Sequence, residues 1–147
     1  DEALEKVCRE LAYKIVRDGE GASRVLAIEI RGARNEPDAR AAAHAIGTSP
    51  LVKTALSGGD PNWGRILAAV GRSGANVSTK KVSLRVGKMF LVKDGAPLPY
   101  REKDAAREFS KEKVELVVDL GSGTASSSLM TCDLGHDYVS LNTDYRS

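Results

Sequence analysis

Cysteine, histidine and surplus charge are all scarce in this sequence, and each shortage argues against a class of function. The two cysteines, Cys8 and Cys132, lie far apart, with no Cys-x-x-Cys spacing and no companion histidine cluster. That argues against a disulfide framework or a zinc site, and makes reduced thiols in a cytoplasmic setting the expectation. His44 and His136 stand alone, as packing or surface residues rather than a catalytic pair. Lys and Arg number 22 against 20 Asp and Glu, a net charge of +2. That balance favours neither nucleic acid nor an anionic membrane as a partner. No apolar run is long enough for a membrane-spanning helix, and the first residues show no signal-peptide pattern. Gly-x-Ser-x-Gly is missing and neither cysteine adjoins a histidine, so no Ser-His-Asp or Cys-His set is visible.

What is present is an ordinary globular composition. With 147 residues, 41% of them hydrophobic and 29% charged, the chain can bury a core as one domain over residues 1–147. Leu4, Val7, Cys8, Leu11, Ala12, Ile15 and Val16 step at three and four, the stripe of an amphipathic helix. The pattern is already running at Asp1, as expected of a processed product or a fragment. Gly19 suits the position after the helix cap, and Gly19 and Gly21 hold Glu20 on a short loop. Leu26, Ile28 and Ile30 alternate as a strand over 24–31. Asn35 and Pro37 open an alanine-rich helix to about residue 46, and Ser49 and Pro50 start another carrying Leu51, Val52, Ala55 and Leu56. Lys53 within it reads as an exposed cation.

The later half alternates at Val82, Leu84 and Val86, then Gly87-Lys88 leads into residues 89–92 and an Asp94-Gly95 turn, a hairpin signal. A short charged helix is expected over 104–111 and a strand at Val114, Leu116 and Val118. Gly121-Ser122-Gly123 follows that strand, but lacks the third glycine and the helix of a phosphate loop, so a hairpin into a serine-rich strand over 124–132 is expected. The tail from Asp137 reads as a final strand that becomes polar. This order predicts an α/β fold of the α+β type, with helices packed on a mostly antiparallel or mixed sheet.

The most distinctive stretch is 57–74, which holds the single tryptophan, Trp63, in Asp60-Pro61-Asn62-Trp63-Gly64-Arg65. Asp60 fits an N-cap with Pro61 at the first helical position, and Gly71 fits a left-handed close. Trp63 and Gly64 read as packing residues of a short buried helix. Glu20 is the one carboxylate in a distinctive loop, where either a ligand contact or a solvated turn residue is consistent with the pattern.

Three stretches together resemble the C-terminal chain of ornithine acetyltransferase, the bifunctional glutamate N-acetyltransferase family. They are Arg17-Asp18-Gly19-Glu20-Gly21-Ala22, then Ser49-Pro50-Leu51-Val52-Lys53-Thr54-Ala55 running into Gly59-Asp60-Pro61-Asn62-Trp63-Gly64-Arg65-Ile66, and finally Cys132-Asp133-Leu134 with Asp137-Tyr138-Val139 and residues 142–147. The resemblance covers essentially the whole chain in order. It implies a precursor that cuts itself before a threonine. That threonine becomes the nucleophile, taking acetyl from N-acetylornithine and passing it to glutamate through an acetyl-threonine ester. Its free amine serves as base, and the ester splits one hard transfer into two easier ones. Oxyanion donors come from the other chain in this family. No cofactor is implied, although some members accept acetyl-CoA as a co-substrate.

By the same resemblance Glu20, Asn142 and Ser147 are substrate-binding residues, Glu20 partnering an ammonium group of an ornithine-like ligand. The implied partners are the N-terminal chain of the precursor and further copies of that two-chain unit, in a larger layered fold with no nucleic acid or membrane involved. This chain does not begin with threonine, so the nucleophile is expected outside it. Thr143 also stands where the family more often has alanine. A non-catalytic structural or oligomerising domain is the competing reading, and a self-processing hydrolase releasing acetyl to water is a third.

Overall fold

The structure is a computed structural model and describes residues 1–144. The alternation read at Leu26, Ile28 and Ile30 forms β1 (Val25–Ala33), and those three side chains are buried while Ala27 and Glu29 turn to the opposite face. β1 lies between two later strands. On one side β5 (Lys113–Asp119) runs parallel to it with Ile28 opposite Leu116, and on the other β6 (Ala125–Cys132) runs antiparallel with Ile28 opposite Leu129. β2 (Ser83–Val86) pairs antiparallel with β5, β3 (Met89–Lys93) with β2, and the short β4 (Ala96–Pro97) with β3. Among the described residues the sheet order is β4-β3-β2-β5-β1-β6. The sheet is mixed, as its one parallel pair requires.

Helices cover one face of this sheet. α2 (Glu36–Gly47) presents Ala39, Ala42, Ala43 and Ile46 inward, and small alanines let it approach β1 and β6 closely. α3 (Pro50–Ser57), α4 (Trp63–Gly71) and α5 (Glu102–Phe109) add Leu56, Ile66, Val70 and Phe109 to the same core. The caps are local. Asn35 Oδ1 accepts the Asp38 N–H at 2.8 Å, and Ser49 Oγ accepts the Val52 N–H at 3.4 Å. Asn35→Ala should lower stability by about 1 kcal/mol, read as a shift in the urea midpoint with an unchanged slope.

The Asp94-Gly95 turn forms, and a second hairpin turn precedes it. Gly87 sits at φ +55 between β2 and β3, while Asp94 at +47 and Gly95 at +76 supply the left-handed pair between β3 and β4.

Five local expectations differ. Gly121-Ser122-Gly123 is not a hairpin, because β5 and β6 flank β1 instead of pairing. The segment arches over the end of β1, with the Leu120 and Ser122 N–H groups donating to the Arg31 and Gly32 carbonyls. A Cβ on Gly123 would stand 2.4 Å from the Ala33 carbonyl oxygen. The tail is a helix, α6 (His136–Asp144), not a strand. Asn62, not Asp60, caps α4, its Oδ1 accepting the Arg65 N–H at 3.2 Å. Gly71 remains helical, and the left-handed residue beyond it is Gly74 at φ +78. Trp63 is half-buried at the edge of the core.

Among the described residues the opposite face of the sheet is largely open. It carries Glu29, Arg31, Arg85, Glu115, Ser128 and Met130 along a broad trough, with α1 (Glu2–Arg17) as its other wall. Among the described residues most of the apolar stripe of α1 is uncovered: Leu4 is 63% exposed and Ile15 74%, with only Ala12 and Val16 half-buried. Near its C-terminal end the helix is tied down by Arg17 Nε donating to Glu112 at 2.6 Å, and by Lys113 over the Tyr13 ring at 5.9 Å.

Candidate functional site

The Glu20 loop links α1 to β1, and its shape follows from two glycines. The Gly19 N–H closes on the Val16 carbonyl at 3.2 Å, continuing the helix end, while Gly21 turns the chain at φ +67. That left-handed turn lies directly under the first turn of α6. A Cβ on Gly21 would be 2.5 Å from the Tyr138 nitrogen and 2.9 Å from its Cα. Gly21 thus permits both the turn and the close approach of α6.

This approach joins two of the three residues singled out from the sequence. Asn142 Nδ2 on α6 donates to Glu20 Oε2 at 2.8 Å and to the Tyr138 carbonyl oxygen at 2.8 Å, across 122 residues of chain in the first case. Using both amide protons in this way leaves the Asn142 Oδ1 and the Glu20 carboxylate as outward acceptors. Both residues are exposed. A surface offering acceptors and negative charge suits an ammonium group. The third residue, Ser147, lies outside the described residues.

What holds the loop against α6 is a residue whose role the sequence did not reveal. Asp133, just past β6, is 4% exposed, and its carboxylate gathers the start of β1. Oδ1 accepts the Ser23 N–H at 2.8 Å and the Arg24 N–H at 3.0 Å, and Oδ2 accepts the Ser23 hydroxyl at 2.6 Å. Burial pushes this carboxyl up, but the hydrogen bonds from Ser23, Arg24 and Ser57 outweigh it and hold the group below its ordinary value. The Arg24 guanidinium meanwhile donates to the last carbonyls of α3, Leu56 at 3.2 Å and Ser57 at 2.5 Å, where a helix C-terminus favours positive charge. Asp133 and Arg24 therefore lock the α1–β1 loop, α3 and the lead into α6 into one frame.

Lys53 was expected to be an exposed cation and is not. It is half-buried on α3, with Nζ 3.2 Å from Thr131 Oγ1 and 3.9 Å from Cys132 Sγ. Among the described residues no cluster of His, Cys, Asp and Glu could hold a metal ion, and no helix is long and apolar enough to cross a membrane.

Comparison with known proteins decides the family, since residues 1–147 match the ArgJ family from end to end. The chain belongs to the ArgJ family. It is 46% identical over 146 residues to the "Arginine biosynthesis bifunctional protein ArgJ" of Ruegeria pomeroyi, covering 99% of this chain and 36% of that protein. It is 48% identical over 148 residues to the "Glutamate N-acetyltransferase" of Methanopyrus kandleri, covering 99% of this chain and 38% of that one. A crystal structure of the ArgJ bifunctional protein of Bacillus halodurans superposes with a TM-score of 0.94 at 37% identity, over 98% of this chain and 68% of that chain. This chain thus spans little more than a third of the length of the curated ArgJ relatives it matches.

Proposed function

We propose that this chain is the C-terminal part of an acetyltransferase that moves acetyl from N-acetylornithine to glutamate. Residues 1–147 act as one unit supplying the amino-acid contacts Glu20, Asn142 and Ser147. The observation that carries the reading is the Glu20–Asn142 pair: residues 122 apart meet in one acceptor-rich, exposed patch. ArgJ-family membership and the names of the relatives supply the reaction class.

In this reading the nucleophile is a threonine outside these residues, freed by self-cleavage of a longer precursor and carrying acetyl as an ester between donor and acceptor. Its own amine accepts the hydroxyl proton, and donors on the N-terminal chain hold the oxyanion. The largely open sheet face and the exposed stripe of α1 support a partner of that kind, because an apolar stripe of Leu4, Val7, Leu11 and Ile15 gains stability only when covered. That partner is the remainder of the precursor, and paired units assemble further in the cytoplasm. Acetyl-CoA is a co-substrate if the enzyme is of the bifunctional type.

The test is kinetic. In the complete enzyme Glu20→Gln should raise KM for N-acetylornithine about 10- to 100-fold, the worth of one charge-assisted hydrogen bond. The unfolding midpoint should hardly move, because Glu20 is exposed. An unchanged KM would remove Glu20 from the site. Acetate release that is indifferent to glutamate would make the protein a hydrolase instead.

A further inference from the structure

We propose that the outer edge of β6 takes an added β-strand from the rest of the precursor, so that the sheet of this chain continues into its partner. This deepens the proposed function and rests on its reading of the remaining precursor as that partner.

The direction of the backbone groups follows from the pairing of β1. The Val25 N–H donates to the Glu112 carbonyl at 2.8 Å on the β5 side, and the Arg24 carbonyl accepts the Asp133 N–H at 3.1 Å on the β6 side. Successive residues of a strand bond to opposite neighbours, so Leu26, Ile28 and Ile30 serve β6. Their partners there are Thr131, Leu129 and Ser127. Ser126, Ser128 and Met130 therefore send their N–H and carbonyl groups away from β1, and no described strand lies on that side. Ser126 and Ser128 are exposed and Met130 is half-buried.

The two edges of the sheet are built differently. β4, at the far edge, has two residues and ends in Pro97, which has no N–H to offer an added strand. β6 is eight residues long and carries neither charge nor proline. The bulge in its pairing, between Ile30 and Ala33, adds its extra residue to β1. The devices that keep an edge strand from pairing are thus present on β4 and missing from β6. The core is also unfinished there. Leu129 stands against Gly47 on the helix-covered face yet is only half-buried, and a neighbouring strand would cover it.

The remainder of the precursor is the occupant that fits. This chain spans little more than a third of the curated relatives and 68% of the Bacillus halodurans chain, so each of them holds further polypeptide. The β6 edge also borders the trough walled by α1, where the apolar stripe lies exposed. Pairing β6 with a second copy would extend the sheet sideways and leave that stripe open. One longer polypeptide can pair the edge and cover the stripe together.

The experiment is hydrogen exchange resolved to single amides in the complete, unsubstituted enzyme. The Ser127, Leu129 and Thr131 amides bond to β1 and give an internal reference. With a strand added, Ser128 and Met130 should exchange within about 10-fold of that reference. Exchange about 100-fold faster than the reference, in alternation along β6, overturns the proposal. A photo-crosslinking amino acid in place of Ser126 then identifies the neighbour by mass spectrometry. Attachment to a peptide outside residues 1–147 is expected, and attachment to β6 of a second copy overturns the assigned occupant. Acetyl transfer to glutamate with unprotected edge amides overturns the added strand alone. Protected amides in an enzyme that transfers no acetyl support the strand and overturn the proposed function instead.

Discussion

Asp133→Ala is expected to lower the unfolding free energy by about 2–4 kcal/mol, measured by urea denaturation at neutral pH. The native carboxylate accepts two backbone N–H groups and one hydroxyl at the start of β1. Truncation orphans all three. Each buried, unsatisfied donor costs about 1–3 kcal/mol, but Ser23 is exposed and water can reclaim part of its share. Asp133→Asn, which keeps one carbonyl acceptor, should lose less, about 1–2 kcal/mol.

Acid supplies an independent check on the same carboxylate. Its folded-state value lies below the ordinary one, so the unfolded chain binds its proton first as pH falls. The stabilisation is therefore complete above the unfolded value of about 3.9 and is lost as pH drops through the lower folded value. The gap between the native protein and Asp133→Asn should stay constant from pH 7 to about 5 and narrow only in stronger acid. A gap that narrowed near neutrality would point to a different group.

Gly21→Ala should be comparably damaging and far more localised. Alanine at φ +67 costs about 1–2 kcal/mol from the left-handed backbone alone. Its Cβ would also fall 2.5 Å from a backbone nitrogen of α6, which cannot rotate away as a side-chain tip can. Relief requires moving the first turn of α6, and with it Asn142, away from Glu20. The total loss should be about 2–4 kcal/mol. Hydrogen exchange should show α6 amides losing protection while β1 and β5 keep theirs, a local opening rather than global unfolding. Gly71→Ala is the matched control: nothing lies within 4 Å of its Cβ position and its backbone is helical. Stability there should hold or rise, by up to about 1 kcal/mol.

Much of this fold was legible because it is written in neighbouring residues. Alternation at Leu26, Ile28 and Ile30 specifies a strand and its buried face, and Asn35 and Ser49 mark helix starts three residues ahead of the N–H groups they cap. The turn at Asp94-Gly95 needs left-handed backbone, which so few residue types tolerate that composition alone locates it. The family motifs likewise brought Glu20 and Asn142 forward before any distance between them was known. Their local signals nonetheless stopped short of the shape of the tail: from Asp137 it reads as a strand, and the folded chain has a helix there, packed beside Gly21.

The remainder depended on which distant segments meet. β5 and β6 follow one another in the chain yet flank β1, because hydrogen-bond pairing is settled across the sheet and not by the loop between them. The stripe of α1 predicts an amphipathic helix equally well whether its cover lies inside this chain or outside it, since periodicity describes a face and not its partner. Asp133 resembles any polar residue after a strand until the N–H groups of Ser23 and Arg24, about 110 positions away, turn toward it. Lys53 passes for a solvated cation until Thr131 and Cys132 close around it. The sequence by itself determined most of the helices and strands before the tail, because those depend on contacts within a few residues. Tertiary structure alone decided strand order, the docking of α6 and the charges around the Glu20 loop, because those arise from atoms the chain brings together only when folded.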